Sequence, residues 1–264
     1  MTASAPEVDW GALLTSRVAL ITGAGSGQGR AAAQLFSAHG ARIVIADFDD
    51  TGASETLGLV EGAGGDAIAV HADVSRSADC DAMVAATVAA YGCIDVLYNN
   101  AALQMSGRLS ECTEDQWDRT IATNLSAIFY GCRAAIPHML AGDGGSIIST
   151  ASVMGYIGAP GYAAYGPSKA GLVTLTRQIA VEYGPKIRAN IVAPGGIETP
   201  RFRKAHANES DYDGFVQRLT AHNPARRLGR PDDVARIALF LASDASAYIS
   251  GAVIPADGGL AAMR

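Results

Sequence analysis

Lysine is scarce in this chain. Three of its 264 residues are lysine, Lys169, Lys186 and Lys204, against seventeen arginines. Basic residues number 20 and acidic ones 26, for a net charge of −6. That balance argues against a nucleic-acid footprint, and no polybasic patch suits a membrane surface. Cysteine is sparse too. Cys80, Cys93, Cys112 and Cys132 include no CxxC pair and no Cys/His cluster at zinc spacing, so no metal site is read. Four reduced, mostly buried thiols of a cytoplasmic protein are expected. No apolar run approaches membrane-spanning length. The opening MTASAPEVDW has neither the basic start nor the apolar core of a secretory signal, and 1–14 reads as a loose arm.

What is abundant is glycine, 30 residues, in a chain that is 49% apolar and 17% charged. The glycines are not periodic but cluster where turns are needed. Short β-branched runs at 17–22, 41–47, 66–72, 93–99, 145–150, 187–193 and 252–256 alternate with Ala-rich stretches of helical period. The helical stretches fall at 27–39, 50–62, 76–91, 113–141, 165–183 and 231–243. The runs are apolar on both faces, as buried parallel strands are. The fold class is therefore α/β: a Rossmann-type, doubly wound, mostly parallel seven-stranded sheet with helices on both faces. No linker divides the chain, so 1–264 reads as one domain. Only 197–223 breaks the rhythm. It is polar and follows a strand, beyond whose carboxyl end ligands bind in such sheets, and it reads as a substrate lid.

After the first strand comes TGAGSGQG, 22–29, then a helix. Glycines let a backbone approach a pyrophosphate, and the helix N-terminus offers free N–H groups. The spacing GxGxxG does not fit. TGxxxGxG does, through Thr22, Gly23, Gly27 and Gly29, with Gly25, Ser26 and Gln28 completing the loop. Asp47 ends the second strand, where a carboxylate can accept both hydroxyls of an adenosine ribose and repel a 2′-phosphate. Neither Ser26 nor its counterpart Phe48 is basic, which favours NAD over NADP. Asp73 and Val74 end the third strand beside the adenine position, and Asn99, Asn100, Ala101 and Ala102 end the fourth.

The rare lysine sits in YAAYGPSK, four residues after Tyr165. Residues four apart share a helix face, and Pro167 suits a first turn, so Tyr165 begins a helix. A free phenol has a pKa of about 10 and is a poor base at neutral pH; a neighbouring ammonium favours the phenolate. Tyr165 then exchanges a proton with an alcohol or ketone. Ser152, thirteen residues earlier at a strand end, is placed to hold a substrate oxygen. Asn124 stands inside a helix among apolar neighbours, where asparagine is a mediocre helix former. Pro194-Gly195-Gly196-Ile197-Glu198-Thr199 follows the sixth strand, where a nicotinamide amide can be held.

Together these motifs resemble the short-chain dehydrogenases/reductases, in their short single-domain branch, over 15–260. The resemblance implies that Tyr165 is the acid/base, that Lys169 lowers its pKa and grips the nicotinamide ribose, and that Ser152 orients the substrate. It implies that Asn124 anchors a water leading to Lys169, and that Pro194, Gly195, Ile197 and Thr199 line the nicotinamide. The family usually has NNAG where this chain has Ala102. The extended branch would need glycine at Ser26. The implied activity is NAD-dependent interconversion of a secondary alcohol, cyclic, aryl or sugar-like, and its ketone. A 3-oxoacyl-carrier-protein reductase is the alternative, and a non-catalytic NAD-binding regulatory protein an alternative of another class. Gln104, Met105, Ser152, Val153, Met154, Tyr156, Tyr162, Gly196, Arg201 and Arg203 are read as the substrate pocket. The Ala-rich helices are compatible with a homotetramer.

Overall fold

The computed structural model describes residues 8–207, 210–221 and 223–263. Seven strands form one sheet: β1 (Val18–Thr22), β2 (Arg42–Asp47), β3 (Ala67–His71), β4 (Val96–Asn99), β5 (Gly145–Thr150), β6 (Ile187–Pro194) and β7 (Val253–Ala256). Their order is β3-β2-β1-β4-β5-β6-β7, with every neighbouring pair parallel. The chain winds outward in one direction from β1 and in the other from β4. A crevice therefore opens at the carboxyl ends of these two strands.

The side-chain period of two builds both cores at once. Along β1, Ala19 and Ile21 enter one core while Leu20 enters the other; along β2, Ile43 and Ile45 oppose Val44 and Ala46. The first core is closed by α1 (Gly27–Ala38), α2 (Asp50–Gly62) and α9 (Pro231–Ala242). The second is closed by α3 (Ser77–Tyr91), α5 (Ala127–Ala141) and α6 (Tyr165–Tyr183). Each fully buried Val, Leu or Ile contributes about 1.5–3 kcal/mol. Strands that must supply both faces therefore read as unbroken apolar runs.

Several expectations shift. The single helix read over 113–141 is α4 (Glu114–Ile121), a π-helical turn over Ala122–Ser126, and α5. The polar stretch 197–223, read as a lid with no helix assigned to it, carries α7 (Pro200–Ala205) and α8 (Tyr212–Thr220). β4 begins three residues late, at Val96, because the Asp95 carboxylate takes the Val18 N–H at 2.8 Å in place of a strand partner. β3 stops at His71, so Asp73 lies beyond it; its Oδ1 accepts from Ser75 N at 3.0 Å and Ser75 Oγ at 2.7 Å, closing a turn. Of the expected loose arm, 1–7 fall outside the described residues, while Leu14 is buried in the core and its N–H donates to His39 O at 2.9 Å. Cys80 and Cys132 are buried, but Cys93 and Cys112 are only half-buried. Among the described residues, no helix is long and apolar enough to cross a membrane.

Candidate active site

The crevice at the strand ends is lined first by the glycine loop between β1 and α1. Gly23 has φ +64°, and a Cβ there would lie 2.8 Å from Ala101 Cα. At Gly29 a Cβ would fall 2.1 Å from the Gly23 carbonyl oxygen. Only glycine permits this close packing of helix on loop. The loop is braced from β4. Thr22 Oγ1 accepts from Asn100 N at 3.0 Å and Ala101 N at 3.2 Å, and Asn100 Nδ2 donates to Thr22 O at 3.1 Å. Asp47 is buried at the end of β2. Its Oδ2 accepts from Gly25 N at 2.8 Å and its Oδ1 from Asp49 N at 3.0 Å.

Tyr165 starts α6, as the position of Pro167 predicts. Lys169, one turn on, is 1% exposed, and its Nζ donates to Thr150 O at 2.8 Å. The same Nζ stands 5.7 Å from the centre of the Tyr165 ring. Ser152 follows β5 and caps a short 3₁₀ turn, its Oγ accepting from Met154 N at 3.2 Å. Asn124, in the π-helical turn, is 0% exposed. Its Oδ1 accepts from Leu103 N at 2.7 Å, and its Nδ2 donates to Leu103 O at 2.8 Å and to Ser168 Oγ at 3.1 Å.

The electrostatics differ from the simple picture of an ammonium lowering a phenol. Burial pushes the Tyr165 phenol above its ordinary value; the Arg201 guanidinium and then the Ser152 hydroxyl oppose that rise without cancelling it. Lys169 is itself pulled down to about 7, by burial first and by Arg201 second. Its ammonium is therefore only partly populated near neutral pH. Arg201 is the first group opposing the rise of the phenol, and Lys169 adds to it when protonated.

The profile described as enoyl-(acyl carrier protein) reductase matches residues 23–261. A 2,5-dichloro-2,5-cyclohexadiene-1,4-diol dehydrogenase of Sphingobium indicum is 36% identical over 247 residues, 93% of this chain and 96% of that protein. A 3-oxoacyl-[acyl-carrier-protein] reductase of Thermotoga maritima is 38% identical over 248 residues, covering 94% of this chain and 98% of that one. Among solved structures, levodione reductase superposes with a TM-score of 0.91 at 34% identity, covering 95% of this chain and 100% of the other. The chain belongs to the short-chain dehydrogenase/reductase family. It is an oxidoreductase of the alcohol–carbonyl type, and dehydrogenases of this family use nicotinamide cofactors.

The residues present fit such a cofactor. Ser26 precedes α1 but makes no side-chain cap, so the first-turn N–H groups of a short-chain dehydrogenase helix stay open to an anion. Gln28 Oε1 is buried without a hydrogen-bond partner, beside the same turn. Buried polar atoms are rarely left so, and this acceptor would suit a hydroxyl or N–H donor of a dinucleotide rather than its phosphates. Asp47 keeps lone pairs beyond its two backbone bonds. Phe48 is 73% exposed beside it, an apolar face for an adenine.

The remaining sequence expectations sort unevenly. Ala102 is absent from the positive-φ residues, so its departure from NNAG carries no backbone strain. Ile197 is buried against Gly229, where a Cβ would lie 2.4 Å from its Cδ1; only its backbone remains for a cofactor. Thr199 Oγ1 caps α7 by accepting from Phe202 N at 3.1 Å, while its Cγ2 would lie 3.3 Å from a Cβ at Gly27. Val153 is 1% exposed, which removes its side chain from the pocket surface. The Tyr162 ring stands 5.9 Å from that of Tyr165, and its hydroxyl accepts from Gln104 Nε2 at 3.5 Å. Arg203 does not join the pocket. It pairs with Glu198 at 2.6 Å and covers the Tyr212 ring.

Sequence reasoning missed three groups. Ser168 Oγ donates to Tyr165 O at 2.7 Å, and Thr150 holds Lys169 through its carbonyl. Arg30 donates to the Gly25 carbonyl, to Thr56 Oγ1 at 2.9 Å and to Glu55 at 2.8 Å, tying α1, α2 and the glycine loop together. Ser168 stood in plain view inside YAAYGPSK, but its partner Asn124 lies 44 residues away.

Proposed function

We propose that this chain is an NAD-dependent dehydrogenase that interconverts a small secondary alcohol and its ketone, with Tyr165 as the acid/base. The observation that carries the reading is the buried Tyr165–Lys169 turn of α6, with Ser152 facing the same phenol. On this reading the open first turn of α1 holds the pyrophosphate, Asp47 holds the adenosine ribose, and Lys169 holds the nicotinamide ribose. The chemistry supplied by the nicotinamide when bound is hydride acceptance in one direction and donation in the other, with a positive charge on the oxidised ring.

The protein's own residues do the rest. Ser152 Oγ holds the substrate oxygen beside Tyr165, and Tyr165 takes the hydroxyl proton. Burial works against ionising this phenol, at about 1.4 kcal/mol per pKa unit. Positive charge gathered at the site offsets that cost, from Arg201 and from Lys169 when protonated. Asn124 and Ser168 hold Tyr165 and the strand-end loop in register. The 197–223 segment covers the site as a lid, and the chain works as one domain, cytoplasmic, in a homotetramer. A Tyr165→Phe protein that binds NAD yet loses turnover supports the mechanism, and one that keeps full turnover sinks it.

A carrier-linked ketoreductase is the second reading, favoured by the Thermotoga maritima relative. It needs a free basic surface for an acidic carrier. Three of the arginines there, Arg203, Arg218 and Arg227, are already paired with Glu198, Asp211 and Asp233 at 2.6, 3.6 and 2.6 Å, which reduces the charge left for such a partner. A regulatory NAD-binding protein has no need of Tyr165, Lys169, Ser152 and Asn124 together.

A further inference from the structure

The arginines of the 197–223 segment and its flank are not equivalent. Arg203, Arg218 and Arg227 each face a carboxylate. Arg201 faces none among the described residues. Its Nη1 donates to the Ala102 carbonyl oxygen at 2.6 Å, across 99 residues of chain. Ala102 lies between two fixed points of the crevice. Asn100 is tied to Thr22 on one side, and Leu103 is tied to Asn124 on the other. Arg201 thus reaches from the segment onto the rim of the site itself.

A guanidinium carries five N–H donors, and a single backbone carbonyl is a weak match for its charge. Arg201 acts on both Tyr165 and Lys169, and no carboxylate appears among the groups perturbing either one. Among the described residues, Arg201 thus brings a guanidinium to the substrate end of the site with the Ala102 carbonyl as its partner and no carboxylate within ion-pair distance. A neutral alcohol leaves that charge unpaired. An oxyanion offsets it and presents the planar, two-oxygen face that a guanidinium fork prefers. We infer that Arg201 forms an anion subsite at the mouth of the site, and that the ligand taken there bears a carboxylate a few bonds from its carbinol carbon. Arg201 exchanges the Ala102 carbonyl for that carboxylate as the ligand enters. Calling the ligand a substrate rests on the dehydrogenase reading above; the anion subsite itself does not.

The test is an equilibrium one. The full-length protein is titrated by calorimetry, with and without NADH, using two matched pairs: benzoate against benzamide, and isobutyrate against isobutyramide. A charge-assisted pair predicts that each carboxylate binds about ten- to a hundredfold more tightly than its amide. Arg201→Met abolishes that preference, while Arg203→Met, whose side chain points elsewhere, preserves it. Arg201→Lys keeps the charge without the fork and retains part of the preference. Equal binding of acid and amide overturns the inference, as does no detectable carboxylate binding or an intact preference in Arg201→Met. Weakened NADH binding in Arg201→Met without any carboxylate preference also overturns it, assigning the arginine to the cofactor's phosphates. Turnover, followed as NADH formed from the secondary hydroxy acids mandelate and 3-hydroxybutyrate, separates the two readings, because the four binding probes carry no carbinol. A carboxylate preference in binding with no NADH formed from either hydroxy acid sinks the dehydrogenase mechanism and leaves the subsite standing.

Discussion

Asn124 and Ser168 meet at 3.1 Å, amide nitrogen to hydroxyl, and Ser168 passes the contact on to the Tyr165 carbonyl at 2.7 Å. With both of its other bonds on Leu103, Asn124 clamps the loop after β4 to the first turn of α6. Its amide is used for positioning, whatever water it also meets.

Two substitutions separate the halves of this clamp. Asn124→Ala leaves the part-buried Leu103 N–H and C=O without their side-chain partner, each costing about 1 kcal/mol. Ser168→Ala loses the bond from Asn124 and the bond to the Tyr165 carbonyl but keeps both Leu103 bonds. The expected order of thermal midpoints is wild type, then Ser168→Ala a few degrees lower, then Asn124→Ala lower again by roughly twice as much. Ser168→Ala is also expected to lower kcat several-fold with KM for NAD unchanged, because it loosens Tyr165 and not the glycine loop. Equal midpoints for the two variants would remove the clamp.

Lys169 ties stability to pH. Its folded pKa of about 7 lies below the ordinary 10.5. Between those values the unfolded chain binds a proton that the folded chain does not, so this residue makes stability rise with pH across that window. Below about 7 both states are protonated, and the full penalty of a few kcal/mol applies. Above 10.5 it is absent. Lys169→Met is therefore expected to gain stability over wild type near pH 7 and to lose that advantage toward pH 10, as measured by urea unfolding at each pH. The other titrating groups are common to both proteins and cancel in the difference. A pH-independent difference would mean that the ammonium is not held in a poorly solvated site.

The fold was legible because the strands bury both faces, which leaves runs such as RVALIT without polar interruption. The catalytic turn was legible because helical spacing is local: Tyr165 and Lys169 need only four residues of sequence to meet. What stayed hidden depended on distant partners. Asn124 sits in a π-helical turn whose function is set by Leu103 and Ser168, and no local pattern encodes either. Arg201 and Arg203 looked alike in PRFRKAH, yet two steps along a helix turn a side chain by about 200°. One arginine meets Ala102 and the other Glu198. The balance at the Tyr165 phenol was hidden for a related reason: the depth of burial that raises it, and that weakens the charge on Lys169, follows from the packed fold.

Gln28 carries a trade between stability and binding. Its Oε1 is buried without a partner in the cofactor-free protein. Gln28→Leu removes that orphan and is expected to stabilise the cofactor-free protein by about 1 kcal/mol. The same change removes a group facing the open turn of α1, so NADH binding should weaken several-fold in a fluorescence titration. A variant that is both more stable and binds NADH as tightly as wild type would show that the carboxamide has no ligand.

On the proposed NAD-dependent reading, the Asp47 charge is what separates the two nicotinamide dinucleotides. A phosphate 4 Å from its carboxylate meets a repulsion of about 4 kcal/mol at an effective dielectric of 20, before solvent relaxes it. The nearest arginine offers no relief, because Arg30 is already held by Glu55, Thr56 and the Gly25 carbonyl. Wild type is therefore expected to favour NAD over NADP by at least about a hundredfold in kcat/KM. Asp47→Asn keeps an oxygen for the Gly25 N–H but drops the charge. It should raise the NADP-to-NAD ratio about tenfold or more, with a thermal midpoint a few degrees lower because the Asp49 N–H loses its acceptor. Asp47→Ala, which also frees the Gly25 and Asp49 N–H groups, should lose stability and weaken binding of both dinucleotides. An Asp47→Asn protein with the wild-type ratio would mean that shape at the β2 end, and not charge, sets the choice.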